Sequence, residues 1–293
     1  MDKSTIKEGR TIGFSSSIIC IIESVGTEDV ASGHLLYKQL HADTDFDMPC
    51  VFYQVRTKPD FLNVLSRIEQ QVERTNKFPI IHLCMHGDQT GIELMNGDCV
   101  DWIEMRDALT SINIKCRNNL FLTLAVCGGI YLMTLITTVV DGHIGRSPFW
   151  GFIGHENNVS QGWSFIAFYE FYKTLSKESD FHLAFKRLNN CHTENQLNHF
   201  GFVDSEYVFK KIYTHYKRVN CDSEALKVRA KAIIRNSGNG RKLPGMTRNR
   251  SLKQIQFEII EYSKQHIIEM WERFFMVDLY PDNKKRFPFR YRL

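Results

Sequence analysis

Short apolar runs alternate with amphipathic segments over the first two hundred residues. Four of the runs are mainly apolar and rich in β-branched or aromatic residues, at 18–22, 50–55, 80–86 and 120–126. Such runs are typical of strands buried on both faces of a parallel sheet. Because helical patterns lie between these strands, the chain predicts an α/β fold in which helices flank a mostly parallel sheet.

The first two helical patterns carry recognisable start signals. Thr27 precedes two acidic residues, which predicts that the first helix begins there and continues through Leu40. Pro59 introduces the second helix. The apolar face of that helix is predicted to contain Leu62, Leu65, Ile68 and Val72.

The pattern after the fourth strand is less regular. Residues 130–140 fit a strand or a helix by periodicity, and we interpret them as a helix. Residues 149–154 predict a further strand. Two helical patterns follow it, at 164–175 and 182–188.

The character of the chain changes after residue 204. Residues 1–204 hold 17 Lys and Arg against 24 Asp and Glu, a net charge of −7, whereas residues 205–293 hold 20 against 9, a net charge of +11. The second region predicts Lys-rich amphipathic helices, a glycine-rich, positively charged loop at 236–250, and a last helix at 252–277. We therefore expect a domain at 1–204 and a basic helical C-terminal region at 205–293.

Two of the predicted strands end on a reactive residue that is followed by glycine. One ends at His86-Gly87 and the other at Cys127-Gly128-Gly129. The carboxyl ends of adjacent parallel strands meet in the crevice where ligands bind, so His86 and Cys127 are predicted to lie side by side. A helix beginning just after Cys127 would favour the thiolate form of that cysteine. A cysteine beside a histidine is the minimum apparatus of a thiol protease.

These motifs resemble the caspase-like (clan CD) cysteine peptidases, and among them most of all the CHAT group. Residues 91–94 and 97–109 are similar to the short hairpin and helix that separate the two reactive residues in that group. Residues 150–154 and 165–175, with Ala184-Phe185, are similar to its next strand and helix. The likeness covers residues 15–195. It implies a caspase-like peptidase domain, regulation by a partner protein, ligand or cleavage, and a role in bacterial antiviral defence or programmed cell death.

Amide hydrolysis by a thiol assigns a role to each residue of the predicted site. Cys127 would attack the carbonyl of a protein substrate, and His86 would protonate the departing nitrogen and later help to activate water. The resemblance implies that the backbone N–H groups of Gly87 and Cys127 form the oxyanion hole. The alternative interpretation is that Cys127 is an ordinary buried core cysteine.

The residues that select the substrate are not determined by the sequence. Asp88, Asp141 and Glu156 are acidic residues near the predicted site, and an acidic pocket would select Arg or Lys before the cut bond. Arg146 argues for the opposite preference, and no arginine flanks Cys127 as it would in a peptidase specific for Asp. His143 and His155 would orient substrate or have no role in chemistry.

The sequence favours neither a metal nor another cofactor. His82, Cys84 and His86 share one face of a predicted strand, but alternate residues are ~6.6 Å apart along it, too far to close on one ion. His82 and Cys84 are therefore predicted to pack inside. The eight cysteines lack the paired spacing of a disulfide framework, which favours a reducing cytoplasm. No apolar stretch approaches the ~20 residues that cross a bilayer, so no membrane is expected.

A second hypothesis belongs to another class of protein. The chain would be a catalytically silent adaptor on the same scaffold, with its basic C-terminal region bound to nucleic acid or to an acidic protein. Phe287, Phe289 and Tyr291 lie among basic residues and would stack on bases. A solvated basic face, or one that docks on the rest of the chain, is the simpler explanation of the charge.

Overall fold

The apolar runs form strands of one mixed sheet in the computed structural model, which describes residues 15–134, 144–191, 199–238 and 252–292. The strands are β1 Ile18–Ser24, β2 Cys50–Gln54, β3 Pro79–Gly87, β4 Gly91–Glu93, β5 Cys99–Asp101, β6 Phe121–Ala125, β7 Gly151–Gly154 and β8 Gly201–Asp204. The helices are α1 Ser32–Ala42, α2 Lys58–Thr75, α3 Trp102–Lys115, α4 Gln161–Glu178, α5 Phe181–Asn190, α6 Ser205–Asn220, α7 Ser223–Gly238, α8 Leu252–Phe274 and α9 Asn283–Arg286. A 3-10 helix occupies Gly129–Met133.

The sheet is mostly parallel and flanked by helices, as predicted. Its order is β2-β1-β3-β6-β7-β8, and the β1–β2, β1–β3, β3–β6 and β6–β7 pairs are all parallel. The antiparallel hairpin of β4 and β5 extends from the carboxyl end of β3, where His86 lies opposite Glu93. The chain thus steps from β1 to β2 on one side, then returns past β1 to β3 on the other.

Because of this reversal of direction, helices cover both faces of the sheet. Right-handed crossovers that step in opposite directions put their helices on opposite faces, so α1 and α2 cover different faces of the sheet. The crossover from β3 to β6 continues the second direction, and its helix α3 packs against α2. Helix α4 packs against α1 and contacts β6. The reversal also opens a crevice beyond the carboxyl ends of β1 and β3.

Two helices in the first part of the chain differ from the prediction for physical reasons. Helix α1 begins at Ser32 rather than at Thr27, because the buried carboxylate of Glu23 on β1 accepts hydrogen bonds from the N–H groups of Gly33 and His34 at 2.7 and 3.2 Å. That carboxylate replaces a local cap. In α2, Leu62 is exposed and Phe61 and Val64 are buried instead, since the apolar face is rotated from the predicted one.

The later part of the chain also differs in detail. Strand β8 was not predicted, because the four residues of Gly201–Asp204 are too few to show periodicity. Residues 130–134 are helical as predicted, but as the end of a short 3-10 helix and one following helical residue. The remainder of that segment lies outside the described residues. Helix α7 continues through Gly238, three residues into the predicted loop, and the rest of the loop also lies outside the described residues.

Contacts divide the chain into two units. The first comprises residues 1–135 and 148–203, and the second comprises residues 136–147 and 204–293, so one internal segment groups with the C-terminal residues. Within the second unit, Arg146 makes a two-pronged ion pair with Asp278, each N···O distance 2.7 Å. The N–H of Ser147 donates to the carbonyl of Phe274 at 3.1 Å.

The second unit has an aromatic core of its own. Phe287 is 3% exposed and stacks on Phe275 with ring centroids 4.6 Å apart. Phe289 packs edge-on against Trp271, and Tyr291 contacts both Phe209 and Tyr213. The three aromatic residues of the basic tail therefore pack within this unit. In the part of the chain that is described, no helix is both long and apolar enough to cross a bilayer.

Candidate active site

His86 and Cys127 line the same pocket at the carboxyl ends of β3 and β6. The pocket has a volume of about 420 Å³. Its other lining residues are Val25, Asp29, Ser32, Met85, Gly87, Ala125, Asn158, Val159, Gln161 and Ser164. They come from the ends of three adjacent parallel strands and from the start of α4, so the pocket occupies the crevice that the reversal in strand order opens.

Two glycines allow the ends of β3 and β6 to approach each other. A Cβ at Gly87 would lie 2.5 Å from Cγ1 of Val126 and 2.7 Å from the carbonyl oxygen of Gly91. Gly128 has a φ of +67°, and a Cβ there would lie 2.6 Å from the carbonyl oxygen of Asp88. Any side chain at either position would push the two chain segments apart. The glycines after His86 and Cys127 are therefore structural requirements of the site.

The thiol of Cys127 has one hydrogen-bond donor aimed at it. The backbone N–H of Val159 donates to Sγ at 3.3 Å. A donor at this distance interacts more strongly with a thiolate than with a thiol, because charge on the acceptor strengthens the bond. The 3-10 helix that follows begins at Gly129, where the N–H donates to the carbonyl of Val126 at 3.1 Å. The local turn thus holds Cys127 at the pocket rim.

The backbone N–H groups of Gly87 and Cys127 lie at the rim. Asp88 N–H donates to the carbonyl of Gly91 at 3.0 Å, and bonded pairs alternate along an antiparallel ladder. Gly87, opposite Ile92, therefore belongs to a non-bonded pair, and its N–H points away from β4. Within the described ranges, the N–H of Cys127 has no backbone acceptor.

His86 is held by an acidic residue from the loop after β1. Its Nε2 lies 3.0 Å from Oδ2 of Asp29, with side chains 52% and 29% exposed. The hydrogen bond from His86, followed by one from the N–H of Gly26, lowers the pKa of the Asp29 carboxyl from its usual value. An ionised carboxylate only accepts, so Nε2 carries the proton of this bond. Nδ1 is then the ring nitrogen that remains for a substrate or thiol.

A buried acid on β1 and a buried thiol on β3 lie beneath the start of α1, and neither lines the pocket. Glu23 is 1% exposed, and burial raises the pKa of its carboxyl even though the N–H groups of α1 act against this. Cys84 is equally buried, and burial raises the pKa of its thiol far above the usual range. A Cβ at Gly33 would lie 3.0 Å from the carboxylate of Glu23 and 3.1 Å from Sγ of Cys84. Cys84 is therefore a packing residue, as predicted.

Two of the predicted substrate-selecting residues, Asp88 and Glu156, do not line the main pocket. Asp88 lines a neighbouring pocket of about 260 Å³ with His86 and Glu93, and its Oδ1 accepts from the N–H and hydroxyl of Thr90 at 2.6 and 2.7 Å. Those bonds lower the pKa of Asp88. Glu156 is exposed after β7 and does not line either pocket. Asp141 lies outside the described residues.

Of the two other candidate histidines, only His155 is among the described residues. His155 is 3% exposed and lies edge-on to the rings of Trp163 and Phe200, while its Nδ1 interacts with the backbone of Asn157. It is a packing residue of the loop that carries Val159. His143 lies outside the described residues, as does most of the segment around it.

His82 belongs to a buried hydrogen-bonded cluster. Its Nδ1 lies 2.8 Å from the hydroxyl of Thr123 and 3.0 Å from that of Tyr172, and those hydroxyls are 2.6 Å apart. Burial lowers the pKa of His82 to about 3, so the ring is neutral. The residues of the described ranges contain no group of three or more acidic, histidine or cysteine side chains placed to bind a metal ion.

Three contributors to the site were missed by the sequence interpretation. Asp29 was assigned to the first turn of a helix, and Val159 and Gln161 were not singled out at all. Asp29 lies on a loop that Gln161 fastens, because Oε1 of Gln161 accepts from the N–H of Val30 at 2.8 Å. No local pattern signals this contact, because 131 residues separate its partners.

Comparison with models of known protein families found no match, and comparison with curated proteins found none either. The site is therefore interpreted from its own geometry and from the motif resemblance.

Proposed function

We propose that the protein is a caspase-like cysteine endopeptidase that cleaves a protein substrate with His86 and Cys127. The observation that carries this proposal is the common pocket at the ends of β3 and β6, where Cys127 Sγ accepts an N–H and His86 is bonded to a carboxylate. A nucleophile, a base and a residue that orients the base are the parts that thiol catalysis needs.

The reaction follows from these groups. His86 takes the proton of the Cys127 thiol, the thiolate attacks the carbonyl carbon of the scissile peptide bond, and the carbonyl π electrons move to the oxygen. The N–H groups of Gly87 and Cys127 stabilise that oxyanion. Protonated His86 gives a proton to the leaving amine as the C–N bond breaks, which forms a thioester. His86 then takes a proton from water, and the resulting attack releases the carboxylic acid and the thiol.

The proposed biological setting combines two expectations from the sequence. The resemblance implies control by a regulatory partner and a role in bacterial antiviral defence or programmed cell death, and the unpaired spacing of the cysteines favours the cytoplasm. The main pocket is open and lined by polar residues such as Ser32, Ser164 and Gln161, which suits an extended polypeptide with backbone groups to satisfy. Asp88, Glu156 and Asp141 remain candidate selectors of a basic residue.

The test compares wild type with Cys127→Ala on a peptide library made by digesting a whole proteome. New peptide termini identified by mass spectrometry should appear with wild type and be absent with Cys127→Ala. Cys221→Ser, in the second unit, is the matched control and should retain the cleavage pattern. Identical termini from wild type and Cys127→Ala would reject the proposal. The same experiment gives the residue preferred before the cut.

The adaptor hypothesis rests on the net charge of +11 in residues 205–293. The idea that aromatic residues of the tail stack on bases is weakened. Phe287 is buried, and both Phe289 and Tyr291 contact aromatic rings of their own unit. Phosphate binding by the basic side chains is independent of stacking. A salt titration of binding to single-stranded nucleic acid tests it, because phosphate contacts make affinity fall steeply with salt. Undetectable binding at low salt would remove nucleic acid as a partner.

A further inference from the structure

The loop after β1 brings an acid to the catalytic histidine. Asp29 Oδ2 lies 3.0 Å from Nε2 of His86, and the two residues are 57 positions apart. Such a contact is built by the fold, because β1 and β3 are adjacent and parallel and both end at this rim. Among the described residues, His86 makes no other side-chain hydrogen bond. Asp29 alone therefore orients the imidazole.

Asp29 is itself held in position from two directions. The N–H of Gly26 donates to its Oδ2 at 3.0 Å, and its own N–H returns a bond to the carbonyl of Gly26 at 3.3 Å. From α4, Oε1 of Gln161 accepts from the N–H of Val30, the residue after Asp29, at 2.8 Å. A residue fixed in this way holds its partner in one orientation at little further entropic cost.

A free surface acid would behave differently. Glu28 is the preceding residue, is exposed, and makes no side-chain hydrogen bond or ion pair within the described ranges. Asp29 directs its carboxylate inward to the pocket that also contains Cys127. Substitutions at Glu28 and at Asp29 can therefore be compared. The comparison distinguishes a specific role of Asp29 from a general effect of negative charge on the loop.

We infer that Asp29 is the positioning residue of the site, so that Cys127, His86 and Asp29 act as a triad in which the carboxylate fixes the imidazole with Nδ1 toward the reacting groups. The inference rests on the proposed function and extends it. The carboxylate stays ionised, holds the proton on Nε2, and favours the imidazolium that must protonate the leaving amine. It does not touch the substrate.

Other titratable groups surround His86 and must be separated from Asp29. Cys127 lies across the pocket, and the hairpin side contributes Asp88, Glu93 and Asp101, which line the neighbouring pocket with Cys99. Glu93 is the cross-strand neighbour of His86. Of the side chains that the structure describes, Asp29 is the one hydrogen-bonded to the ring. Glu93→Gln therefore serves as a second charge control.

The first measurement needs no substrate. Iodoacetamide alkylation of Cys127 is followed by peptide mass spectrometry across a pH series, with Cys221 as the internal reference. Loss of the carboxylate weakens the thiolate–imidazolium pair, so Asp29→Asn should react about 3- to 10-fold more slowly than wild type near neutral pH. Glu28→Gln and Glu93→Gln should retain the wild-type profile. An Asp29→Asn profile that matches wild type overturns the inference.

The second measurement uses a peptide cleaved by the wild type. Asp29→Asn and Asp29→Ala should lower kcat about 10-fold or more, change KM less than about 2-fold, and move the basic limb of the pH profile to lower pH. Asp29→Glu, which keeps the charge, should recover part of kcat. An equal loss in Asp29→Asn and Asp29→Glu, or a loss in KM alone, overturns the positioning role. Because alkylation is independent of cleavage, absence of peptidase activity would count against the proposed function and leave this inference testable.

Discussion

The interior and the rim of β3 carry two histidines on the same face of one strand, and their chemistry differs completely. His82 is 1% exposed, bonded to two neutral hydroxyls, and has its pKa lowered to about 3. His86, four residues later, is half exposed and bonded to a carboxylate. The first ring is a fixed polar part of the core. The second lines the pocket that also contains Cys127.

The cysteines repeat this contrast between interior and rim. Cys84 is buried beside the carboxylate of Glu23, where a thiolate would be desolvated and repelled. Cys127 lies beyond the end of β6 with the N–H of Val159 directed at its sulfur. In each pair, the residue at the carboxyl edge of the sheet is available for chemistry and the residue inside is not. The reason is that desolvation disfavours the charged form of every buried group.

The largest expected effect is a loss of activity on substitution of His86 that substitution of His82 does not cause. His86→Ala should reduce kcat/KM by about 10³-fold, because general acid–base catalysis supplies that order of rate. Its unfolding midpoint should change little, since the side chain is half exposed. His82→Leu should retain activity per folded molecule within about 3-fold, because the ring does not reach the pocket. The measurements are peptide cleavage and urea denaturation followed by circular dichroism. Equal losses of activity in the two variants would contradict the comparison.

The next effect concerns acid stability. The folded-state pKa of His82 is depressed to about 3, so the unfolded chain binds its proton first, and stability is lost as pH falls from about 6.5 toward 3. Between pH 7 and about pH 4.5, wild type should lose about 3 kcal/mol more than His82→Leu. Glu23 has a raised pKa and acts in the opposite direction, but it is common to both proteins. Parallel urea curves at the two pH values make the comparison, and equal losses would contradict it.

The smallest effect tests the hydroxyl cluster around His82. Tyr172→Phe removes one hydroxyl, while His82 and Thr123 keep their bond at 2.8 Å, so unfolding should become easier by about 1 kcal/mol. Tyr37→Phe is the control, because within the described ranges the Tyr37 hydroxyl has no hydrogen bond, and it should change stability by less than about 0.3 kcal/mol. Urea denaturation measures both. A cost above about 3 kcal/mol for Tyr172→Phe would show that the cluster acts as one unit.

The pattern of the chain was sufficient for the central parallel strands and for the two reactive residues. Apolar runs of β-branched residues identified β1, β2, β3 and β6, and parallel strands necessarily bring their carboxyl ends to one edge. His86 and Cys127 therefore share a pocket as expected. The glycines after them were noted from the sequence, and the contacts at Gly87 and Gly128 give their physical reason.

The parts that could not be predicted depend on contacts across long distances in sequence. The start of α1 was misplaced because its cap comes from Glu23 on the preceding strand rather than from the helix's own first residues. Asp29 could be assigned to the site only from the fold, in which Gln161 of α4 accepts a hydrogen bond from the loop that carries Asp29. Val159 acts through a backbone N–H, which every residue except proline possesses, so its identity carries no signal.

The grouping of residues 136–147 with residues 204–293 has a consequence for how the chain can be divided. The polypeptide enters the second unit, returns to the first, and enters the second again, so three covalent connections join the two units. A single cut near residue 204 would leave Arg146 without Asp278 and Ser147 without the carbonyl of Phe274. The two units are therefore not consecutive segments of the sequence. Separating them cleanly requires replacing the inserted segment with a short linker as well as cutting the chain.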